Sequence, residues 1–367
     1  MSKVWASRVH LHPADPGDPD GLVGVLSLDD VDHLLTETAI RTPAVRIAQD
    51  GAVLPESTYT RGASLAGRPL TGLVDARRVL ALYDGGATVV LQGLHRYWAP
   101  LTDLVAGLEL ELGHPCQANA YLTPPGAQGF ALHRDTHDVF VFQTHGSKLW
   151  EVHGTDGAEE VLLEPGLSMY LPTGTPHAAR AQEGASLHVT IGINQLTWRG
   201  LLRRTVAGVV DAVPDEHLPA GYLDDPSLLA GRLAQRLEAL AADLRSVPAD
   251  RVVEQEMTRF LATRPTRLRG GLGDVLAART LDDTSRLRRR AGHPCVLVRH
   301  PDTDDRLRVL LGDRHLDVPA RLQPALEEVR ARPTLSPADL ADHLDAADRV
   351  VLCRRLVREG LLEVVSG

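Results

Sequence analysis

The sequence predicts a mainly β barrel, followed by a helical region and then a small α+β domain. Short alternating or β-branched runs, separated by Gly and Pro, begin near Ala87 and stop at Trp198. Helical periodicity takes over there, and mixed texture returns near Cys295. The domains predicted are residues 1–198, 199–290 and 291–367.

Taken in order, HPADPGDPDG (12–21) reads as a Pro/Gly/Asp loop. SLDDVDHLLTETA follows as a helix in which Ser27 can cap and Val31, Leu34 and Leu35 share a face. ATVVLQGL, QANAYLT, DVFVFQTHGSKLWEVHG, GLSMYLP and SLHVTIGI are the candidate strands. Past Trp198, LLRRTVAGVVDAV and DPSLLAGRLAQRLEALAADLRSV read as helices. In the second, Leu229, Leu233, Leu237, Leu240 and Leu244 form a stripe that reads as core, with a dimer surface as the alternative. In the last domain one helix starts at Pro319 and Ser336-Pro337 caps the next. A third runs through Val350–Val357 and Gly360 ends it before LLEVV. Three helices and a β segment make this a winged-helix-like unit. Its 11 arginines against 13 acids, however, give no basic recognition face and favour a structural or protein-binding role.

Composition narrows the function. At 367 residues and 43% hydrophobic, the chain can fill more than one core. No run approaches the ~18 apolar residues of a membrane span, and the N-terminus lacks a charged-then-apolar signal pattern. Cys116, Cys295 and Cys353 lie far apart, which fits a reducing cytoplasm and excludes a thiolate zinc site. A net charge of −9 opposes strong nucleic-acid binding. Of 39 basic residues only Lys3 and Lys148 are lysine, so an internal Lys148 stands out.

In GFALHRDTHDVFVFQ, His133, Asp135 and His137 alternate, which on one strand would aim all three into a barrel. Ionisable groups gathered inside are costly unless a cation sits among them. Gly166, Pro172, Gly174 and His177 then fall at G-x5-P-x-G-x2-H, the second signature of cupin barrels. His133, Asp135 and His177 therefore read as a facial set of two imidazoles and one carboxylate. Such a set suits non-haem Fe(II) with dioxygen and a chelating co-substrate. His137 reads either as a fourth ligand, closing the site, or as a group behind the ligands or facing substrate; the latter roles are favoured. Lys148, in THGSKLWEV, is a candidate buried cation for a co-substrate carboxylate, against a solvated hairpin lysine.

The run QANAYLTPPGAQGFALHRDTHDVFVFQTHGSKLW resembles the JmjC-type cupin family of ribosomal oxygenases. The resemblance implies a double-stranded β-helix barrel, then a helical dimerisation region and a winged helix. It also implies Fe(II), 2-oxoglutarate and O2 as cofactor and co-substrates. The implied reaction is hydroxylation of a His or Arg side chain of a ribosomal or other protein. By position, His133, Asp135 and His177 match the iron ligands, Lys148 the co-substrate base, and Asn119 and Tyr121 the polar lining. His137 and Gly192 depart from the family pattern near the substrate position. The alternatives are a hydroxylase that tailors a peptide natural product and a cupin metalloenzyme that does not use 2-oxoglutarate. The expected protein is a cytoplasmic homodimer, free of membranes, acting on a protein or peptide.

Overall fold

The computed structural model describes residues 4–13, 21–127, 131–154, 157–265, 267–300 and 303–365. Most of the loop expected at 12–21 lies outside them. The chain separates into two compact units, Met1–Gln195 and Leu196–Gly367.

The first unit begins with β1 (His10–His12) and α1 (Leu28–Thr36). Ser27 caps α1: its hydroxyl accepts from the Asp30 N–H, and the Asp30 carboxylate accepts from the Ser27 N–H. Val31, Leu34 and Leu35 are buried, as the spacing predicts. There follow β2 (Val45–Gln49), β3 (Ala52–Val53), β4 (Thr60–Leu65), β5 (Arg68–Val74), α2 (Ala76–Asp84), β6 (Thr88–Leu91) and α3 (Ala99–Leu112). The strands before Ala87 were not legible in the sequence, because β2 to β5 are short and only partly buried.

Eight further strands complete the unit: β7 (Cys116–Thr123), β8 (His133–Arg134), β9 (Asp138–His145), β10 (Lys148–Gly154), β11 (Gly157–Leu163), β12 (Ser168–Leu171), β13 (Pro176–Ala181) and β14 (Ser186–Ile193). With β1, β2, β3 and β6 they form an eight-stranded sheet, β1-β12-β9-β14-β7-β6-β2-β3, and a four-stranded sheet, β11-β10-β13-β8. β14 lies between β7 and β9 with all eight residues buried: Leu187, Val189, Ile191 and Ile193 give its apolar face to the core, and Ser186, His188 and Thr190 alternate with them. One core joins β2, β6, β7 and β14 to α1 and α3. A second joins Val139, Val141, Met169 and Leu171 of the larger sheet to Trp150, Val152, Val161 and Leu163 of the smaller.

One expectation fails here. His133, Asp135 and His137 do not share a continuous strand: β8 ends at Arg134, and β9 starts at Asp138 in the other sheet. The chain changes sheets between them, so the inward aim of the ligands comes from a strand end and its crossing loop.

The second unit opens with α4 (Trp198–Asp211), α5 (Ser227–Ser246), α6 (Ala249–Ala262) and α7 (Gly271–Ala277). No residue of α5 is buried, so the leucine stripe is not core; Leu233 and Leu237 are 52% and 55% exposed. Then come β15 (Leu287–Arg289), β16 (Val296–Arg299), β17 (Arg306–Leu310), β18 (His315–Pro319), α8 (Gln323–Ala331), β19 (Thr334–Leu335), α9 (Ala346–Arg358) and β20 (Leu362–Val364). Ser336-Pro337 caps only a short 3-10 turn, Pro337–Leu340. β15 pairs with both β19 and β20, and Ala278, Leu281 and Leu287 join the core of α8 and α9. That core therefore draws on residues before 291. No helix among the described residues is long and apolar enough to cross a membrane.

Candidate metal centre and co-substrate cavity

β13 pairs with β8 so that His177 faces His133, their ring centroids 4.4 Å apart. Each imidazole is held the same way. The Nδ1 of His133 lies 2.9 Å from the Ala131 carbonyl, and that of His177 2.9 Å from the Thr175 carbonyl. A carbonyl only accepts, so each Nδ1 carries the proton and each Nε2 presents a lone pair. Those Nε2 atoms lie 3.9 Å (His133) and 3.5 Å (His177) from the Asp135 carboxylate. One ligand atom from each residue falls within 4.8 Å of the others, a spacing that a single divalent ion can span. Burial lowers the His177 pKa first; the Thr175 carbonyl works against that, His133 with it, and Asp135 against it. A neutral imidazole is what a metal requires. His137 falls outside the cluster, which removes its role as a fourth, closing ligand.

Backbone and a buried carboxylate hold the two ligand segments together. The Gly174 N–H donates 2.9 Å to the Asp135 carbonyl. Gly174 sits at φ +80°, a left-handed turn that suits glycine between Pro172 and His177. Asp138 is fully buried and accepts from the Thr173 N–H (2.8 Å), the Thr173 hydroxyl (2.7 Å), the Tyr170 hydroxyl and the Gln195 amide. The Tyr170 hydroxyl is pushed well above its ordinary range, first by burial and then by donating to Asp138.

The cavity beside the cluster brings together every residue singled out from sequence. Asn119, Tyr121, His133, Asp135, His137, Lys148 and His177 all line it. Lys148 opens β10, is 2% exposed, and donates to the Thr123 hydroxyl at 2.9 Å. Burial alone lowers its pKa to about 7, with no carboxylate opposing the shift. It is not a solvated hairpin lysine. Asn119 Oδ1 accepts from the Gly93 N–H at 3.0 Å, so it also ties a turn. The Tyr121 hydroxyl is raised, first by burial.

His188, Trp150 and Thr190 also line the cavity and were missed in the sequence. The His188 ring stacks on Tyr121 at 4.9 Å and meets Trp150 edge-on at 5.3 Å. Burial, then Lys148 and His177, hold its pKa well below the usual histidine value. Its Nδ1 is buried with no hydrogen-bond partner among the described residues. The signal was present in SLHVTIGI: His188 and Thr190 are polar residues at alternate positions of a strand whose other face is apolar.

Residues 108–201 match the JmjC domain model. The chain is 32% identical over 255 residues to the bifunctional lysine-specific demethylase and histidyl-hydroxylase NO66 of Branchiostoma floridae, covering 65% of this chain and 40% of that protein. It is 28% identical over 278 residues to ribosomal oxygenase 1 of Homo sapiens, covering 65% and 42%. The chain thus spans about two-fifths of the length of these relatives. Among solved structures, the ribosomal oxygenase YcfD of Escherichia coli, in complex with cobalt and 2-oxoglutarate, superposes with a TM-score of 0.54. The two are 19% identical, over 99% of this chain and 96% of that one, a likeness of fold.

Proposed function

We propose, on the match of residues 108–201 to the JmjC domain, that this chain is an Fe(II)- and 2-oxoglutarate-dependent oxygenase hydroxylating a side chain of a protein or peptide. Lys148 carries this reading: a buried cation without a carboxylate partner shares one cavity with a three-donor ligand set. A dicarboxylate that chelates a metal with one end and meets an ammonium with the other supplies both missing partners. Two imidazoles and one carboxylate fit iron(II) and leave coordination positions open, whereas a structural zinc site would want a fourth protein ligand.

When bound, iron and 2-oxoglutarate supply the activation of dioxygen that ends in a hydroxyl group on an unactivated C–H. The protein's own share is holding and excluding. His133 and His177 offer fixed Nε2 lone pairs and Asp135 a carboxylate oxygen. Thr123 accepts from the Lys148 ammonium and holds it in the cavity, where it would pair with a carboxylate of the co-substrate. Asn119 and Tyr121 contribute polar lining, and the Tyr121, Trp150 and His188 rings keep water from the co-substrate.

The relatives' names, ribosomal oxygenase and histidyl-hydroxylase, support a ribosomal protein as substrate and a His side chain as target, and Arg is favoured on the sequence resemblance alone. The net charge of −9 suits a basic protein partner and disfavours nucleic acid. Exposed apolar residues on α4 and α5, Trp198, Leu202, Leu233 and Leu237 among them, fit a homodimer interface. The tail is read as a winged-helix-like structural unit, and the free cysteines suit a cytoplasmic setting. A tailoring hydroxylase for a peptide natural product would use the same chemistry. A cupin enzyme without 2-oxoglutarate would leave Lys148 without a role.

His133→Ala and Asp135→Ala test the assignment. Each should abolish cobalt binding followed by absorbance, and succinate release from 2-oxoglutarate. Turnover retained in both would sink it.

A further inference from the structure

β14 sends alternate residues to the cavity: His188 and Thr190 line it, and position 192 continues the same row. That row meets β7 in register, His188 against Tyr121, Thr190 against Asn119 and Gly192 against Gln117. At its end the side chain is missing. A Cβ on Gly192 would lie 2.6 Å from Nε2 and 2.7 Å from Cδ2 of His137, and 3.3 Å from Gln117 Cγ. The His137 ring therefore occupies the space that a side chain on Gly192 would need. Two residues that depart separately from the family pattern are one compensated pair.

His137 is a half-buried ring on the cavity wall, and among the described residues no hydrogen-bond partner or ion pair engages it. It stands outside the metal-binding cluster. Its ring packs on Gly192 through Nε2 and Cδ2 and lines the cavity, and an imidazole carries one N–H donor and one acceptor when neutral. Among the described lining residues the only carboxylate is Asp135, which is committed to the metal, and the one ammonium is Lys148. A guanidinium or ammonium entering here would find no counter-charge, and a carboxylate would compete for Lys148.

We infer that His137, seated on Gly192, is the specificity-determining contact for the target side chain, and that it selects a neutral, hydrogen-bonding group over a cationic one. This rests on the oxygenase reading above and narrows it. The imidazole N–H would find an acceptor in an amide carbonyl or a neutral ring nitrogen, and a guanidinium has none to offer. Discrimination comes from the absence of a counter-charge as much as from the bond formed.

The test uses the full chain loaded with Mn(II) and 2-oxoglutarate without oxygen, probed with acetamide and methylguanidinium. Paramagnetic broadening of each methyl resonance reports binding beside the metal. In the wild type acetamide should broaden more than methylguanidinium by about fivefold, the factor that one net hydrogen bond supplies. His137→Ala should lower that ratio, leaving only the part that the missing counter-charge supplies. Gly192→Ala, which displaces the ring, should do the same, and the double variant should go no further than either single one. Equal broadening in the wild type, preference for methylguanidinium, or an unchanged ratio in His137→Ala would each overturn the inference. Because the readout is a ratio within one sample, partial loss of site occupancy does not mimic it. Failure of the wild type to bind 2-oxoglutarate at all would instead count against the oxygenase reading.

Discussion

At the scale of single residues, Lys148 sets the pH behaviour. Its pKa is lowered to about 7, far below the ordinary lysine value. The folded protein therefore resists protonating it, and that contribution opposes folding below about pH 7 and fades as pH rises toward ~10. A carboxylate at the ammonium reverses the preference, so 2-oxoglutarate binding above neutrality should take up a proton. Affinity should fall toward tenfold per unit between about pH 7 and 9, with calorimetry in buffers of different ionisation enthalpy showing the uptake. Lys148→Met should weaken 2-oxoglutarate by about a hundredfold and raise the melting temperature of the ligand-free protein, because an unpaired buried amine is replaced by a thioether. Loss of stability in that variant would contradict the burial argument.

At the scale of elements, the His-x-Asp segment shows what could be read in sequence and what could not. His133, Asp135 and His177 were legible from residue type and spacing, because metal chemistry limits which side chains can serve. Their placement was not legible, because His133 belongs to the smaller sheet and Asp138 to the larger. Alternation in sequence cannot distinguish one long strand from two strands joined at a sheet change. What anchors the change is Asp138, whose partners at Tyr170, Thr173 and Gln195 are remote in sequence. Asp138→Ala should leave those donors unpaired and cost about 3 kcal/mol in urea unfolding. It should also weaken cobalt binding, although Asp138 is not among the metal ligands. Asp138→Asn, which keeps the shape and one accepting oxygen, should recover part of the cobalt affinity. A stability loss with intact cobalt affinity would make Asp138 merely structural.

At the scale of the whole molecule, the two units differ in how openly their sequences declare them. The first could be read from Gly- and Pro-punctuated strands, although its short early strands, α2, α3 and β11 went unread. In the second, α6 went unread, and the α5 stripe that resembled core faces outward. Periodicity reports that a helix has an apolar face; it does not say what covers it. Leu233→Arg with Leu237→Arg should convert a dimer to a monomer by light scattering while leaving 2-oxoglutarate binding intact. A wild-type chain that is monomeric at about micromolar concentration would remove the interface from the reading.

The fit of His137 over Gly192 also constrains ancestry. With the ring in place, a side chain at position 192 would clash with it, and a side chain at 192 would push the ring out of its present seat. For a lineage passing from one arrangement to the other, the order without a clash is loss of the side chain at 192 before the imidazole takes this seat. Across descendants the two positions should then change together, and a sequence carrying both a histidine at 137 and a bulkier residue at 192 should be rare.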